Sequence, residues 1–270
     1  MQVGFFTNID KDINLVATRE LMAFVRDLGC VAVQFGDRDI IADVDFLVVL
    51  GGDGTMLRAA SLVVANSVPL LGINMGNIGY LTDVEKSQAK IAIQEVLEAN
   101  CQIQERMMLT VNTPKRLYFA LNDIVVHRGA GARMIECAVT VDGEHIDTFR
   151  ADGLIIATPT GSTAYNLAAG GPVLKPDAQM VVLTPICPQS PGARPAVVTV
   201  NKSAEVTVSV SHAPQATISF DGVIVETQEV ARVTNDDFSL VVRAGDHHTK
   251  IFKTNSLGFY EILRMKMKKV

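Results

Sequence analysis

The sequence lacks the features that would send it to a membrane, an oxidising compartment or a nucleic acid. The longest apolar runs, such as Phe46 to Leu50, fall far short of the ~20 residues a membrane span needs. The N-terminal MQVGFFTNID carries no basic n-region and reaches Asp10 and Asp12 quickly, so it does not read as a signal peptide. Cys30, Cys101, Cys137 and Cys187 include no C-x-x-C pair, which argues against a zinc knuckle or a disulfide framework and fits a reducing compartment. His127, His145, His212 and the pair His247-His248 show no metal-ligand spacing. Basic residues are in deficit too: 24 Lys and Arg stand against 29 Asp and Glu, and no basic stripe is long enough to track a phosphate backbone. The one basic cluster, Arg264 to Lys269, reads as a solvated C-terminus. The expectation is a cytoplasmic protein with no nucleic-acid or membrane partner.

What is present suits a folded protein of one or two domains. Of the 270 residues, 48% are hydrophobic and 20% charged, which supports a sizeable core and excludes disorder as the main state. The first hundred residues alternate short apolar runs with helical patterns. Val3 to Thr7, Val31 to Phe35, Asp45 to Leu50 and Pro69 to Asn74 read as strands. Asp12 to Leu28 reads as a helix stopped by Gly29, and Ala89, Ala92, Ile93, Val96 and Leu97 share one face of another. The run ending at Leu50 is the best candidate for a central strand covered on both faces. Beyond Cys101 the period changes to two: Ile135, Cys137, Val139 and Val141 alternate toward the turn Asp142-Gly143, and Val206, Val208 and Val210 alternate later. The fold class is therefore an α/β N-terminal domain with a parallel, Rossmann-like sheet, followed from about residue 100 by a β-rich, sandwich-like domain.

Three segments could carry chemistry. Gly51-Gly52-Asp53-Gly54-Thr55 follows the buried strand and opens a helical stretch, where glycine amides and a helix N-terminus suit a phosphate. A tight strand-to-helix turn with Asp53 as a mere cap explains the same residues about as well. No G-x-x-x-x-G-K-[ST] or G-x-G-x-x-G is present, so a nucleotide phosphate would need this loop or something else. Asn122-Asp123, alone, reads as a turn; both side chains could serve one ligand only at a strand end or bend. The third segment runs from Arg150 and Asp152-Gly153 through Thr158 to Pro172. It surrounds one aromatic, Tyr165, with small and hydroxylated residues able to meet a sugar and a flat ring. A long surface loop closed by Gly170-Gly171-Pro172 is the plain alternative.

In order, these segments, Gly72-Ile73-Asn74 with Gly76 to Leu81, and Thr184 to Pro188 resemble the NAD kinase family over most of the chain. Thr160 to Tyr165 is its most specific part, since the G-G-D-G-T loop is shared with lipid kinases. The resemblance implies transfer of the ATP γ-phosphoryl group, with a divalent cation, Mg2+, to the 2′-hydroxyl of the adenosine ribose of NAD. It implies three parts: residues 1–100 with the Gly-rich loop, a dinucleotide-binding domain at 101–255, and a segment at 256–270, centred on Leu257 to Arg264, that returns to the first domain. It also implies a homodimer or homotetramer, with Asp152 acting across subunits. Residue by residue, Asp53 resembles the general base, and Gly51, Gly52, Gly54 and Thr55 would line the phosphate loop. Asp53, Gly54, Asn122, Asp123, Arg133, Arg150, Asp152, Thr160, Thr163, Ala164, Tyr165, Asn166, Leu167 and Ala168 would contact NAD. No metal ligand is assigned. Three positions depart from the family pattern: Asp123 where Glu is usual, Gln189 and Gly192 where His and Ser are common, and Val223 after Asp221-Gly222 where a polar residue is frequent. The last pair is left outside the site. Two rivals are a lipid or other small-molecule kinase sharing the loop, and a non-catalytic NAD-binding regulator, for which a base at the loop would be useless.

Overall fold

Apolar runs in the first part of the chain become the strands of a parallel sheet. The computed structural model describes residues 1–36, 39, 41–76, 79–82, 84–129, 133–211, 213, 215–234, 237–254 and 258–267. It forms two compact units, Met1–Arg106 with Thr249–Val270, and Met107–His248. In the first unit β1 (Gln2–Thr7), β2 (Val31–Phe35), β3 (Phe46–Gly51) and β4 (Leu70–Asn74) pair in parallel in the order β4-β3-β1-β2. A two-residue strand, β5 (Val84–Glu85), extends the sheet beside β4. All residues of β3 and β4 are buried because helices cover both faces. Val48, Leu50, Leu71 and Ile73 pack with α1 (Val16–Asp27) and α3 (Ala89–Leu97). Gly72, between Leu71 and Ile73, faces the other way, toward Met56 of α2 (Asp53–Val63).

Helix α1 starts later than its hydrophobic pattern suggests, at Val16 rather than Asp12. Asn14 and Leu15 take left-handed φ values of 58° and 54°, which break the helix. Asp12 stays outside the helix, and its buried carboxylate accepts the N–H groups of Ala17 and Thr18 at 2.9 and 2.8 Å. Strand order matters more for function. The chain leaves β1 for β2 on one side and places β3 and β4 on the other, so the carboxyl ends of β1 and β3 flank the point where the winding reverses. Open α/β sheets bind ligands in that crevice.

The second unit is built from antiparallel strands: β6 (Gln102–Asn112, of which 107–112 belong here), β7 (Leu117–Ala120), β8 (Asp123–His127), β9 (Ile135–Val141), β10 (Glu144–Ala151), β11 (Gly153–Ala157), β12 (Met180–Ile186), β13 (Ala196–Thr199), β14 (Ala204–Ser211), β15 (Thr217–Phe220), β16 (Val223–Val225), β17 (Arg232–Thr234) and most of β18 (Asp237–Lys253). Short helices α4 (Tyr165–Ala168) and α5 (Thr227–Val230) interrupt them. One sheet runs β13-β12-β11-β8-β15-β16; within this unit the other contains β10, β9, β14 and residues 237–248 of β18. Alternate residues of both share one core, including Ile124, Leu154 and Leu183 from the first and Val139, Val208 and Leu240 from the second, as the alternating sequence implies. Asp142 and Gly143 turn the β9-β10 hairpin with φ values of 50° and 83°, the left-handed pair a two-residue hairpin requires.

The last residues of β18 belong to the first unit. Ile251 pairs in parallel with Leu70, and the Phe252 ring meets Phe46 edge-on at 5.8 Å. Helix α6 (Phe259–Met267) follows, with the Lys266 ammonium 5.4 Å from the Tyr80 ring centre. Of the returning segment expected from sequence, Ser256, Leu257 and 268–270 lie outside the described residues, as do Asn77 and Ile78 of the motif before Tyr80 and His212.

Candidate functional site

Strand β3 delivers the Gly-rich loop to the crevice of the first unit. Gly52 is the extended N-terminal cap of α2, and Thr55 Oγ1 accepts the Gly52 N–H at 3.4 Å. A Cβ on Gly51 would lie 2.2 Å from Thr55 Oγ1, so this close turn requires glycine. Gly54 is exposed, with nothing within 4 Å of its Cβ position. Asp53 does not cap its own helix. Its Oδ1 accepts the N–H groups of Leu81 and Thr82 at 2.9 and 3.2 Å, and its Oδ2 accepts the Tyr80 N–H at 2.9 Å. Burial, reinforced by the Asp53 charge, pushes the Tyr80 phenol pKa up. Gly79 permits the approach: a Cβ there would fall 1.9 Å from Asp53 Oδ1. Buried Asn74 braces the same segment, donating from Nδ2 to the Thr82 carbonyl at 3.3 Å and accepting the Gly76 N–H at 2.6 Å.

A cleft of about 730 Å³ opens beside the loop, within the first unit. It is lined by the end of β1 and the turn after it, from Phe6 to Lys11, by Gln34 to Gly36, and by Gly52 to Thr55 with Arg58. Its volume is in the range of small-ligand sites, and its place matches the winding reversal.

In the second unit Asn122 sits just before β8 and is half-buried, while Asp123, the first residue of the strand, is buried. The pair thus sits at a strand end, one of the two placements in which both side chains could serve one ligand. Asp221 holds this corner: its carboxylate accepts the N–H groups of Leu121, Asn122 and Asp123 at 2.8, 2.7 and 3.1 Å. Burial pushes the Asp221 carboxyl up to about 6 despite those three bonds, and burial with the neighbouring Asp221 charge pushes Asp123 up to about 7. Thr158 ties the corner to the next segment, donating to the Leu121 carbonyl at 2.6 Å and accepting the Gly161 N–H at 3.0 Å.

The segment from Thr158 is more ordered than a surface loop. It forms a 3-10 turn, Gly161–Thr163, and then α4, and Ala169 and Leu174 pack against β11 and β12. Thr160 and Asn166 are buried, Thr163, Ala164 and Leu167 half-buried, and Tyr165 and Ala168 exposed. The Asn166 amide is spent inside: it donates to the carbonyls of Ser162 and Pro172 and accepts the Thr184 hydroxyl at 2.6 Å. Asp152 pairs with Arg128 at 2.7 Å; Arg133 and Arg150 are exposed. Two residues whose role depends on distant partners were not assigned from sequence: Asp221, which only the Asp221-Gly222 turn signal marked, and Thr158, which lies in the third candidate segment but received no role of its own.

Comparisons with known proteins agree over nearly the whole length. Residues 31–101 match the ATP-NAD kinase N-terminal domain and residues 121–254 the ATP-NAD kinase C-terminal domain. An NAD kinase of Moorella thermoacetica is 40% identical over 258 residues, covering 94% of this chain and 79% of its own. One of Ruminiclostridium cellulolyticum is 34% identical, covering 98% and 97%. Among solved structures, an Archaeoglobus fulgidus NAD kinase in complex with ATP aligns over the full length of both chains at a TM-score of 0.80 and 25% identity. Yeast NADH kinase in complex with NADH aligns at 0.84 and 21% identity, covering 99% of this chain and 87% of its own, which speaks for the fold.

Proposed function

The chain belongs to the NAD kinase family and phosphorylates NAD to NADP, and we propose that it moves the γ-phosphoryl group of ATP to the 2′-hydroxyl of the adenosine ribose with Asp53 as general base. The observation that carries the role is the Asp53 carboxylate, held by three backbone N–H groups beside the cleft rather than used as a helix cap. Oδ2 takes only one of those bonds and keeps a lone pair free to accept the hydroxyl proton. Phosphoryl transfer asks mainly for positioning and charge stabilisation, and the loop of Gly51, Gly52, Gly54 and Thr55 supports both by setting the start of α2 beside the cleft with the Gly54 backbone exposed to a phosphate.

The dinucleotide is held by the second unit, through Asn122 and Asp123 at the β8 corner, the cations Arg133 and Arg150, Asp152, and the segment from Thr160 to Ala168. In that segment exposed Tyr165 supplies a ring face, and buried Thr160 and Asn166 act by shaping the turn around it. Among the described residues no three His, Cys, Asp or Glu side chains are grouped as a metal cage. Mg2+ shared with the donor's phosphates needs only one or two carboxylates, and Asp10 and Asp53 line the cleft where it would be held. When bound it would neutralise charge on the phosphoryl oxygens.

The lipid-kinase reading falls away because the match extends through residues 121–254, beyond the shared loop. We place the enzyme in the cytoplasm, on the support of four unpaired cysteines, and as a homodimer or homotetramer. The outer strands β13 and β16, each an edge of its sheet among the described strands, support the assembly. A fully active monomer in sedimentation would refute it. Incubating the protein with ATP, Mg2+ and NAD tests the reaction: NADP should form, and its absence overturns the assignment.

A further inference from the structure

We propose that Lys11 binds the polyphosphate of the phosphoryl donor, a reading that rests on ATP being the donor for this chain. The turn after β1 is pinned. Asn8 donates its N–H to the Leu50 carbonyl of β3 at 2.9 Å, its own carbonyl accepts the N–H groups of Lys11 and Asp12 at 3.1 and 3.0 Å, and its Oδ1 accepts the Asp10 N–H at 3.0 Å. Asp12 then anchors the start of α1. The backbone of Lys11 is therefore fixed on both sides, and its side chain reaches across the mouth of the Gly-rich loop. Nζ lies 3.0 Å from the position a Cβ on Gly52 would occupy.

Lys11 is exposed and forms no ion pair among the described residues, although Asp10 and Asp53 line the same cleft. Its charge is thus free for a ligand. The cleft also contains Arg58, one turn into α2, with its guanidinium 5.6 Å above the Phe6 ring. Two carboxylates in the lining, Asp10 and Asp53, would repel an unaccompanied triphosphate, so the Lys11 ammonium in the same lining offsets them. A compact ammonium on a flexible stem suits a phosphate chain that shifts as its terminal group departs. Lys11 has no proton to move in this role; it binds and neutralises charge.

The test uses Lys11→Ala and Lys11→Arg in the full chain. Removing the ammonium deletes one charge-assisted hydrogen bond to the phosphates. The KM for ATP and the Kd of a non-hydrolysable ATP analogue, read by calorimetry, should therefore rise roughly 10–100-fold in Lys11→Ala. The KM for NAD should stay within about twofold, and Lys11→Arg should recover most of the loss. The salt dependence of analogue binding should weaken, because one screened charge is gone. An unchanged ATP KM, or a loss that falls on NAD instead, overturns the proposal. A wild-type protein that binds the analogue and makes no NADP would refute the assigned reaction and leave Lys11 to be judged on the analogue's Kd.

Discussion

Replacing Asp53 with Asn separates the hydrogen bonds its carboxylate makes from the general-base role proposed for it. In the native loop Oδ1 accepts two N–H groups and Oδ2 accepts one. An Asn oxygen can take the place of Oδ1 and keep the Leu81 and Thr82 bonds, but its NH2 then faces the Tyr80 N–H, donor against donor. Relief by moving away is limited, since Gly79 and its neighbours approach the carboxylate too closely for even a Cβ. One hydrogen bond to a charged acceptor is lost outright, which costs about 1.5–3 kcal/mol. The site is partly solvated, so the lower half of that range applies, about 2 kcal/mol. At ~2–4 °C per kcal/mol for a chain of this size, the melting temperature should drop by roughly 4–8 °C. Turnover should fall much further: the amide cannot accept the hydroxyl proton, and general base catalysis is worth about 10²–10⁴ in kcat. Both are read on one preparation, kcat from NADP formation at saturating ATP and NAD, and stability from a thermal melt. Near-normal kcat in a variant that melts early would make Asp53 a structural residue only. An unchanged melt would refute the account of the Tyr80–Thr82 cradle.

Three further substitutions probe the second unit. Tyr165→Ala should weaken NAD binding by about 0.5–1.5 kcal/mol in calorimetry with little change in stability, because the ring is 44% exposed; unchanged affinity would count against its placement on the dinucleotide. Asp123, raised from 3.8 to about 7 by burial and the Asp221 charge, holds its proton more tightly folded than unfolded. Its stabilising contribution is therefore complete below about pH 4 and lost as pH rises through about 7. Asp123→Asn should thus gain on the wild type as pH rises from about 4 to about 7, and melting curves with a pH-independent difference would refute this. Thr158→Val keeps the shape of a buried side chain but strands the Leu121 carbonyl and the Gly161 N–H, so a loss of about 1–3 kcal/mol is expected on denaturant unfolding, and a neutral result would mean water replaces the hydroxyl.

The sheet of the first unit was legible because β3 is uniformly apolar and followed at once by glycines, a combination few structures other than a covered strand and a tight turn can satisfy. The alternation from Ile135 to Val141 announced a half-buried strand for the same local reason. The chemistry of Asp53 was legible only as a pair of alternatives, cap or base, because the groups that settle its orientation lie 27 to 29 residues away. Asp221 shows the limit more sharply. The residue after its turn, Val223, gives no hint of a polar role, yet its carboxylate organises backbone about a hundred residues earlier. Asn166, implied as an NAD contact by the resemblance, turns its side-chain amide inward to bond Ser162, Pro172 and Thr184, partners that the local run of small polar residues does not announce. Local sequence reports propensity and period; it is silent on which distant backbone group a side chain will satisfy.

The route of β18 has a consequence for how the protein is made. The α/β unit includes residues 1–106, made before the β-rich unit, but also Thr249 onward, among them Ile251 against Leu70 and Phe252 against Phe46. At ~5–20 residues per second, roughly seven to thirty seconds of translation separate Arg106 from Thr249. For that interval the nascent unit carries β4 without Ile251 alongside it and Phe46 without its aromatic partner. The intervening β-rich unit, contiguous in sequence, is under no such delay. Vectorial synthesis therefore inverts the order of the chain: the second unit can be completed first, and the unit bearing the Gly-rich loop closes last.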